Sequence, residues 1–318
     1  MDTFRHALVA ASVGHTDLAT LKAAVELAGG QSEVTLLDVF EPLPPWRRTV
    51  NVEGRVIDVE GLMLEERQAK LAELISEAGS PTGVTADVTR GKPVVEVIRH
   101  VINHGCDLVI VGEPAPSKSG KAGISSDVMQ LLRKCPVPVW LVRPPSDTGT
   151  RILALVDPEV DDPPHRGLND LILEVATEMA RAADAELHVA TAWEFTGEAL
   201  LRSSAFVSMP EPDLELLLRA TEDEHRAHLD ELVRKHGGHD VGARIHLAKG
   251  APTEVLPDLA EELGTSLVIM GTVARTGLSG WIMGNTADEI VRSVDCSVMA
   301  LKPIGFVSPI TVDDGTVE

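Results

Sequence analysis

The chain has 318 residues, enough for two domains of ordinary size, and its 24% charged and 44% apolar residues suit a soluble globular protein. A net charge of −21 argues against nucleic acid as a partner, which needs a basic surface to displace counterions, and 3% aromatic residues without tyrosine argue against a base-stacking platform. No apolar stretch approaches the ~20 residues that span a bilayer, and Met1-Asp2-Thr3-Phe4-Arg5 runs into a strand-like segment without a leader, so no membrane partner and a cytoplasmic location are expected.

The first half reads as strand Ala7–Ala11, helix Asp17–Ala28, strand Glu33–Val39, a Pro-rich excursion from Glu41 to Trp46, and helix Gly61–Ala78. Strand Val84–Thr89, helix Val94–Asn103, strand Leu108–Val111, helix Asp127–Arg133 and strand Val139–Val142 follow. Pro144 to Gly149 is a linker. The second half reads as strand Ile152–Val156, helix Leu168–Ala183, strand Glu186–Ala192, a long insert and helix Pro212–His236. Strand Ala243–Leu247, helix Pro252–Leu263, strand Leu267–Met270, helix Ala287–Val294 and strand Ser297–Leu301 close it. Apolar strands alternating with amphipathic helices imply an α/β fold: two tandem doubly wound, Rossmann-like domains, each a mostly parallel five-stranded sheet with helices on both faces. The expected domains are 1–144 and 150–305, with 306–318 a disordered tail.

The halves are copies. Gly91-Lys92-Pro93 matches Gly250-Ala251-Pro252, Leu108–Gly112 matches Leu267–Gly271, and Val139–Pro144 matches Val298–Pro303. One offset, the 159 residues from Gly91 to Gly250, joins all three pairs, and coincidence would not hold its register across separated elements.

The second copy carries the chemistry. Leu267–Met270 stops at Gly271, a glycine-rich loop follows, and Gly284-Asn285-Thr286 opens a helix. Glycines let a backbone approach a phosphate, and free N–H groups at a helix start point at the anion.

The pattern Gly271-x2-Ala274-x9-Gly284-Asn285 resembles the Gly-x2-Gly-x9-Gly-(Ser/Thr) motif of the universal stress protein family. The spacing is kept; Ala274 adds a methyl group, and Asn285 replaces a hydroxyl whose role Thr286 could take. The likeness covers nearly the whole chain and is strongest with the tandem, two-domain members. It implies that ATP, or AMP or ADP, binds at Met270, Gly271, Val273, Ala274, Arg275, Gly284, Asn285 and Thr286, with Mg2+ as the companion ion of ATP. It also implies that Asp157 and the backbone near Ala192 contact adenine, although Asp157-Pro158 is equally a turn signature. Single-domain members dimerise through their last strand, so the resemblance implies an internal pseudo-dimer of the two domains or a homodimer.

In the first copy Ser125-Ser126-Asp127 stands where Gly284-Asn285-Thr286 does, Pro116 replaces Arg275, and Ser12 replaces Asp157. That copy is either a divergent pocket or a structural support. Gly112-x4-Ser117-Lys118-Ser119 is a near-miss of the P-loop without a good helix start. His225 and His228, three apart, are expected to share a helix face that is either solvated or a surface zinc site. Arg275 either neutralises phosphate or is a solvated loop residue, and Ser279 is expected to shape the glycine loop. The three cysteines, Cys106, Cys135 and Cys296, have no metal-ligand spacing and suit a reducing compartment.

No Gly-x-Ser-x-Gly elbow and no base for activating water are evident, so no catalytic residue is assigned and hydrolysis is at most slow. The leading expectation is a stress-response or regulatory protein that binds an adenine nucleotide in the second copy. The alternatives are a nucleotide-free scaffold, and a small-molecule carrier with the inserts Glu41–Gly61 and Thr196–Pro212 as lids.

Overall fold

A computed structural model describes residues 4–29, 32–113, 123–143, 150–158, 163–195, 197–203, 209–276 and 280–311. The P-loop-like segment, the linker, Pro116, Ser279 and the final seven residues lie outside these. The chain forms two compact units, residues 1–145 with 297–318, and residues 146–296.

Unit 1 begins with β1 (His6–Ala10), α1 (Leu18–Ala28) and β2 (Glu33–Phe40). Then come α2 (Pro45–Arg48), the hairpin β3 (Thr49–Val52) and β4 (Arg55–Asp58), and α3 (Val59–Glu77). It continues with β5 (Val84–Arg90), α4 (Pro93–His104), β6 (Leu108–Gly112), α5 (Ser126–Lys134) and β7 (Val139–Val142). Unit 2 holds β8 (Arg151–Leu155), α6 (Pro163–Ala183), β9 (Glu186–Trp193), α7 (Glu198–Ser203), α8 (Glu211–Lys235) and β10 (Arg244–Lys249). It ends with α9 (Pro252–Glu262), β11 (Leu267–Gly271), β12 (Val273–Thr276), β13 (Gly280–Met283) and α10 (Asn285–Ser293). The last strand, β14 (Ser297–Leu301), belongs to unit 1.

Local chemistry sets the element ends. Asp17 caps α1 by accepting from the Thr20 N–H at 2.9 Å, and Gly29 ends it in the left-handed region at φ 57°. Pro93 and Pro252 start α4 and α9, where the missing N–H costs no helical bond. The central strands are continuous apolar runs: β6 is buried along its whole length, as a parallel strand covered on both faces requires.

In unit 1 the strand order is β5-β2-β1-β6-β7-β14, with every pair parallel except β7 and β14. There Val298 opposes Leu141 and Met299 opposes Trp140 in an antiparallel ladder. This pairing draws residues from 297 onward out of the second sequence copy, so the compact unit departs from the expected 150–305 boundary. In unit 2 the order is β10-β9-β8-β11, all parallel. The strand order reverses between β1 and β6 in one unit and between β8 and β11 in the other.

Three sequence expectations change. The inserts are not featureless lids. Residues 45–58 form a short helix and a hairpin, because Glu53 and Gly54 both take positive φ (51° and 82°) and make a tight two-residue turn. The second insert contains α7. The tail is placed as far as Thr311: Ser308 is buried and the Arg99 Nε–H donates to the Thr311 carbonyl at 3.4 Å.

Candidate functional site

At the carboxyl ends of β8 and β11 lies a cavity of about 270 Å3. This is the crevice where an α/β sheet reverses its strand order and takes its ligand. Leu168 and Ile172 of α6 and Leu256 of α9 form its apolar wall. The Thr191–Ala192 end of β9 and the start of α10 complete it.

Asp157 stands just past β8, exposed, and lines the cavity. Its main chain is fixed by Asn169, a residue that is 6% exposed: the Asp157 N–H donates to Asn169 Oδ1 at 3.1 Å, and Asn169 Nδ2–H donates to the Asp157 carbonyl at 2.7 Å. Nothing in the sequence pointed to Asn169, because its bonds to the Asp157 main chain are made across twelve residues, from the end of β8 to α6, and no motif marks that contact. Thr191 was likewise unforeseen; it is buried, and its hydroxyl donates to the Ala192 carbonyl at 3.4 Å.

Met270 and Gly271 line the cavity floor. Gly271 is favoured by packing: a Cβ there would sit 2.4 Å from Leu168 Cδ2, so that side chain would have to move. The glycine therefore makes room for α6, a reason the motif alone does not reveal. Beyond it, Val273, Ala274 and Arg275 lie on β12, which pairs antiparallel with β13, Ala274 opposite Ile282 and Arg275 opposite Trp281. The expected loop is thus a hairpin. The side chains of these residues lie outside the description.

Gly284 closes the hairpin, its N–H donating to the Thr272 carbonyl at 3.1 Å, and heads α10 without any side-chain cap. A helix N-terminus leaves its first N–H groups without intrahelical partners and carries positive potential. Gly284, Thr286 and Ala287 place this end of α10 on the cavity. Asn285 is exposed and is not among the lining residues, so Thr286 supplies the hydroxyl at this site. Among the described lining residues there is no Lys, Arg or His, and Asp157 is the carboxylate; positive potential comes from the helix end.

Unit 1 is built differently at the equivalent place. The loop after β1 lies on the end of β6: the His15 N–H donates to the Gly112 carbonyl at 2.7 Å, and a Cβ on Gly112 would meet His15 O at 2.1 Å. Helix α5 is capped internally, Ser125 Oγ accepting from the Val128 N–H at 3.2 Å. Beside it, Glu113 and Arg143 form a buried ion pair at 3.1 Å. Here the chain's own Ser125 hydroxyl takes one N–H of the helix end.

His225 and His228 do not share a solvated surface. On α8, His225 is buried with Leu229 and Val233, four and eight residues on, and its ring lies 5.6 Å from Trp193, whereas His228 is exposed. Among the described residues no group of three His, Cys, Asp or Glu could hold a metal ion. Cys106 and Cys135 are buried free thiols, and Cys296 is half-buried. Among the described residues no helix is long and apolar enough to cross a membrane.

A parallel α/β sheet with a cavity at its reversal point and a glycine-led helix end defines a doubly wound fold. Residues 3–143 and 166–302 match the Universal stress protein family, and the chain belongs to that family as a tandem of two such domains. It is 29% identical to Universal stress protein E of Escherichia coli (strain K12) over 325 residues, covering 99% of each chain. The Salmonella typhi Universal stress protein E is 28% identical over 326 residues, again covering 99% of each. Among solved structures, a universal stress protein of Pseudomonas aeruginosa UCBPP-PA14 covers 94% of each chain with a TM-score of 0.68 and 26% identity. One from Archaeoglobus fulgidus DSM 4304 shares the fold, with a TM-score of 0.60 at 18% identity over 95% of this chain and 99% of that one.

Proposed function

We propose that unit 2 binds an adenine nucleotide, ATP or its AMP and ADP relatives, as the regulated step of a cytoplasmic stress response. The observation that carries this reading is the uncapped N-terminus of α10 opening on the cavity at the β8–β11 reversal point. The phosphates lie against the N–H groups of the Gly284–Ala287 turn with the Thr286 hydroxyl, and Arg275 is the cation of the adjoining hairpin. The base lies toward Asp157 and the Ala192 backbone, against the apolar wall. With ATP, Mg2+ accompanies the phosphates. Unit 1, its helix end capped by Ser125, serves as support.

Melting of the wild type and of Gly284→Asp, each with and without Mg-ATP, tests this. Gly284 has an extended backbone (φ −67°, ψ 146°) that any residue adopts, and Asp is a favoured residue at a helix cap. The variant therefore keeps its ligand-free melting temperature while placing a carboxylate where phosphate sits. Nucleotide at ~100 times its Kd stabilises the folded state by about 2.7 kcal/mol. A shift in the wild type that disappears in Gly284→Asp is expected. No shift in the wild type at millimolar ATP, ADP or AMP would refute the reading.

A further inference from the structure

Asn169 is a polar residue at the head of an apolar stripe. Ile172, Leu173, Ala176 and Ala180 follow it at helical spacing along α6, all buried, and this helix packs against β8 and β11. A buried amide in such a stripe is costly unless its oxygen and its nitrogen are both bonded. Leucine, of similar bulk, would continue the stripe without that cost. Both ends of the Asn169 amide find one residue: the Asp157 N–H donates to Oδ1 at 3.1 Å, and Nδ2–H donates to the Asp157 carbonyl at 2.7 Å. The pairing also sets which way the amide faces, since only its oxygen can accept and only its nitrogen can donate.

The two bonds fall on either side of one Cα. Val156 still donates to the Ala190 carbonyl of β9 at 3.1 Å; one residue on, the Asn169 side chain takes the place of a neighbouring strand. The direction in which the Asp157 side chain leaves the main chain is therefore set by α6, and both residues line the cavity. In unit 1, where Ser12 stands in place of Asp157, the chain leaving β1 instead lies over the end of β6, the His15 N–H on the Gly112 carbonyl at 2.7 Å.

We infer that Asn169 is the positioning residue for base selection in unit 2: by fixing the Asp157 main chain it aims the carboxylate at the exocyclic amine of a 6-aminopurine. The inference rests on the reading of unit 2 as an adenine-nucleotide site. A carboxylate accepts hydrogen bonds and cannot donate, so it favours a base edge that carries a donor. A carboxylate on a main chain that is already fixed loses less freedom on binding, and this preorganisation becomes selectivity.

Isothermal titration of the full chain with ATP and with purine riboside triphosphate, which lacks only the exocyclic amine, tests this. A hydrogen bond to a charged group favours ATP by about tenfold or more in the wild type. Asn169→Leu is expected to bring the two Kd values together by weakening ATP alone, whereas a general loosening of the site weakens both ligands. Asn169→Ser, too short to reach both main-chain groups, is the second substitution and is expected to do the same. Asp157→Ala, at an exposed position, also removes the preference, and adding Asn169→Leu to it lowers the preference no further, because Asn169 acts through Asp157. An unchanged preference in the Asn169 variants or in Asp157→Ala, an equal loss of both ligands, or a wild type that binds both alike overturns the inference and leaves nucleotide binding standing. A wild type that binds neither overturns the nucleotide reading and this inference together.

Discussion

The two glycines that end β6 and β11 occupy equivalent positions but resist substitution for different reasons. A Cβ on Gly112 would sit 2.1 Å from the His15 carbonyl oxygen and 2.4 Å from Thr20 Oγ1. The His15 N–H also donates to the Gly112 carbonyl, and Gly14, at φ 75°, has its own Cβ position 2.3 Å from that same oxygen. The main chain is held on both sides, so Gly112→Ala forces a backbone shift, at the upper end of the about 1–3 kcal/mol that overpacking costs. On Gly271 the added Cβ meets the tip of Leu168, which borders the cavity and can turn into it. An off-rotamer side chain costs about 0.5–1.5 kcal/mol. Each kcal/mol moves the melting temperature of a unit this size by about 2–4 °C. Calorimetry of the two variants is therefore expected to show the larger drop for Gly112→Ala. Gly271→Ala in turn fills the cavity with Leu168 and weakens nucleotide binding, which Gly112→Ala leaves intact. A Gly271→Ala variant as destabilised as Gly112→Ala, or one that binds normally, would refute this reasoning.

Other outcomes follow from the same geometry. His188 Nδ1 and His246 Nε2 lie 2.8 Å apart, and burial pushes both rings below the ordinary 6.5, with Glu186 opposing at His188 and Glu262 at His246, and with Arg244 near both and Arg151 near His188 adding to the depression. The unfolded chain then binds more protons, so the pair's contribution is present above pH 6.5 and is lost as the pH falls below it. Urea unfolding between neutral and mildly acidic pH should show this slope, and His246→Gln should flatten it. Burial also raises the Cys106 thiol to about 11 and the Cys135 thiol to about 12. Native protein treated with a thiol reagent at neutral pH is expected to label Cys296 first, and all three cysteines only when unfolded.

How much of this was readable in the sequence depends on whether the signal was local. The 159-residue offset was readable because each copy repeats its own turn residues, as in Gly91-x-Pro93 and Gly250-x-Pro252, which punctuate β5–α4 and β10–α9. The β3–β4 hairpin was not, since its turn is Glu53-Gly54 instead of the Asn-Gly or Asp-Gly that such turns prefer. Gly61 suggested a helix start there, but α3 begins at Val59, because the Asp58 side chain reaches forward to cap the Gly61 N–H. At the site, Gly284 and Thr286 were legible from their spacing, whereas Asn169 and Thr191 were not, because what places them is the fold around Asp157 and Ala192. His225 shows the opposite error: a short spacing suggested a shared surface, and the apolar stripe of Leu229 and Val233 carried it into the core.

The central claim is one nucleotide site per chain, in unit 2. Isothermal titration of the full chain with Mg-ATP, repeated with AMP and ADP, tests it most directly, alongside Gly284→Asp and Ser125→Gly. The account predicts a stoichiometry of one, abolished by Gly284→Asp and unchanged by Ser125→Gly, which uncaps only the unit 1 helix. Two sites per chain, binding that survives Gly284→Asp, or no heat with any of the three nucleotides would contradict it.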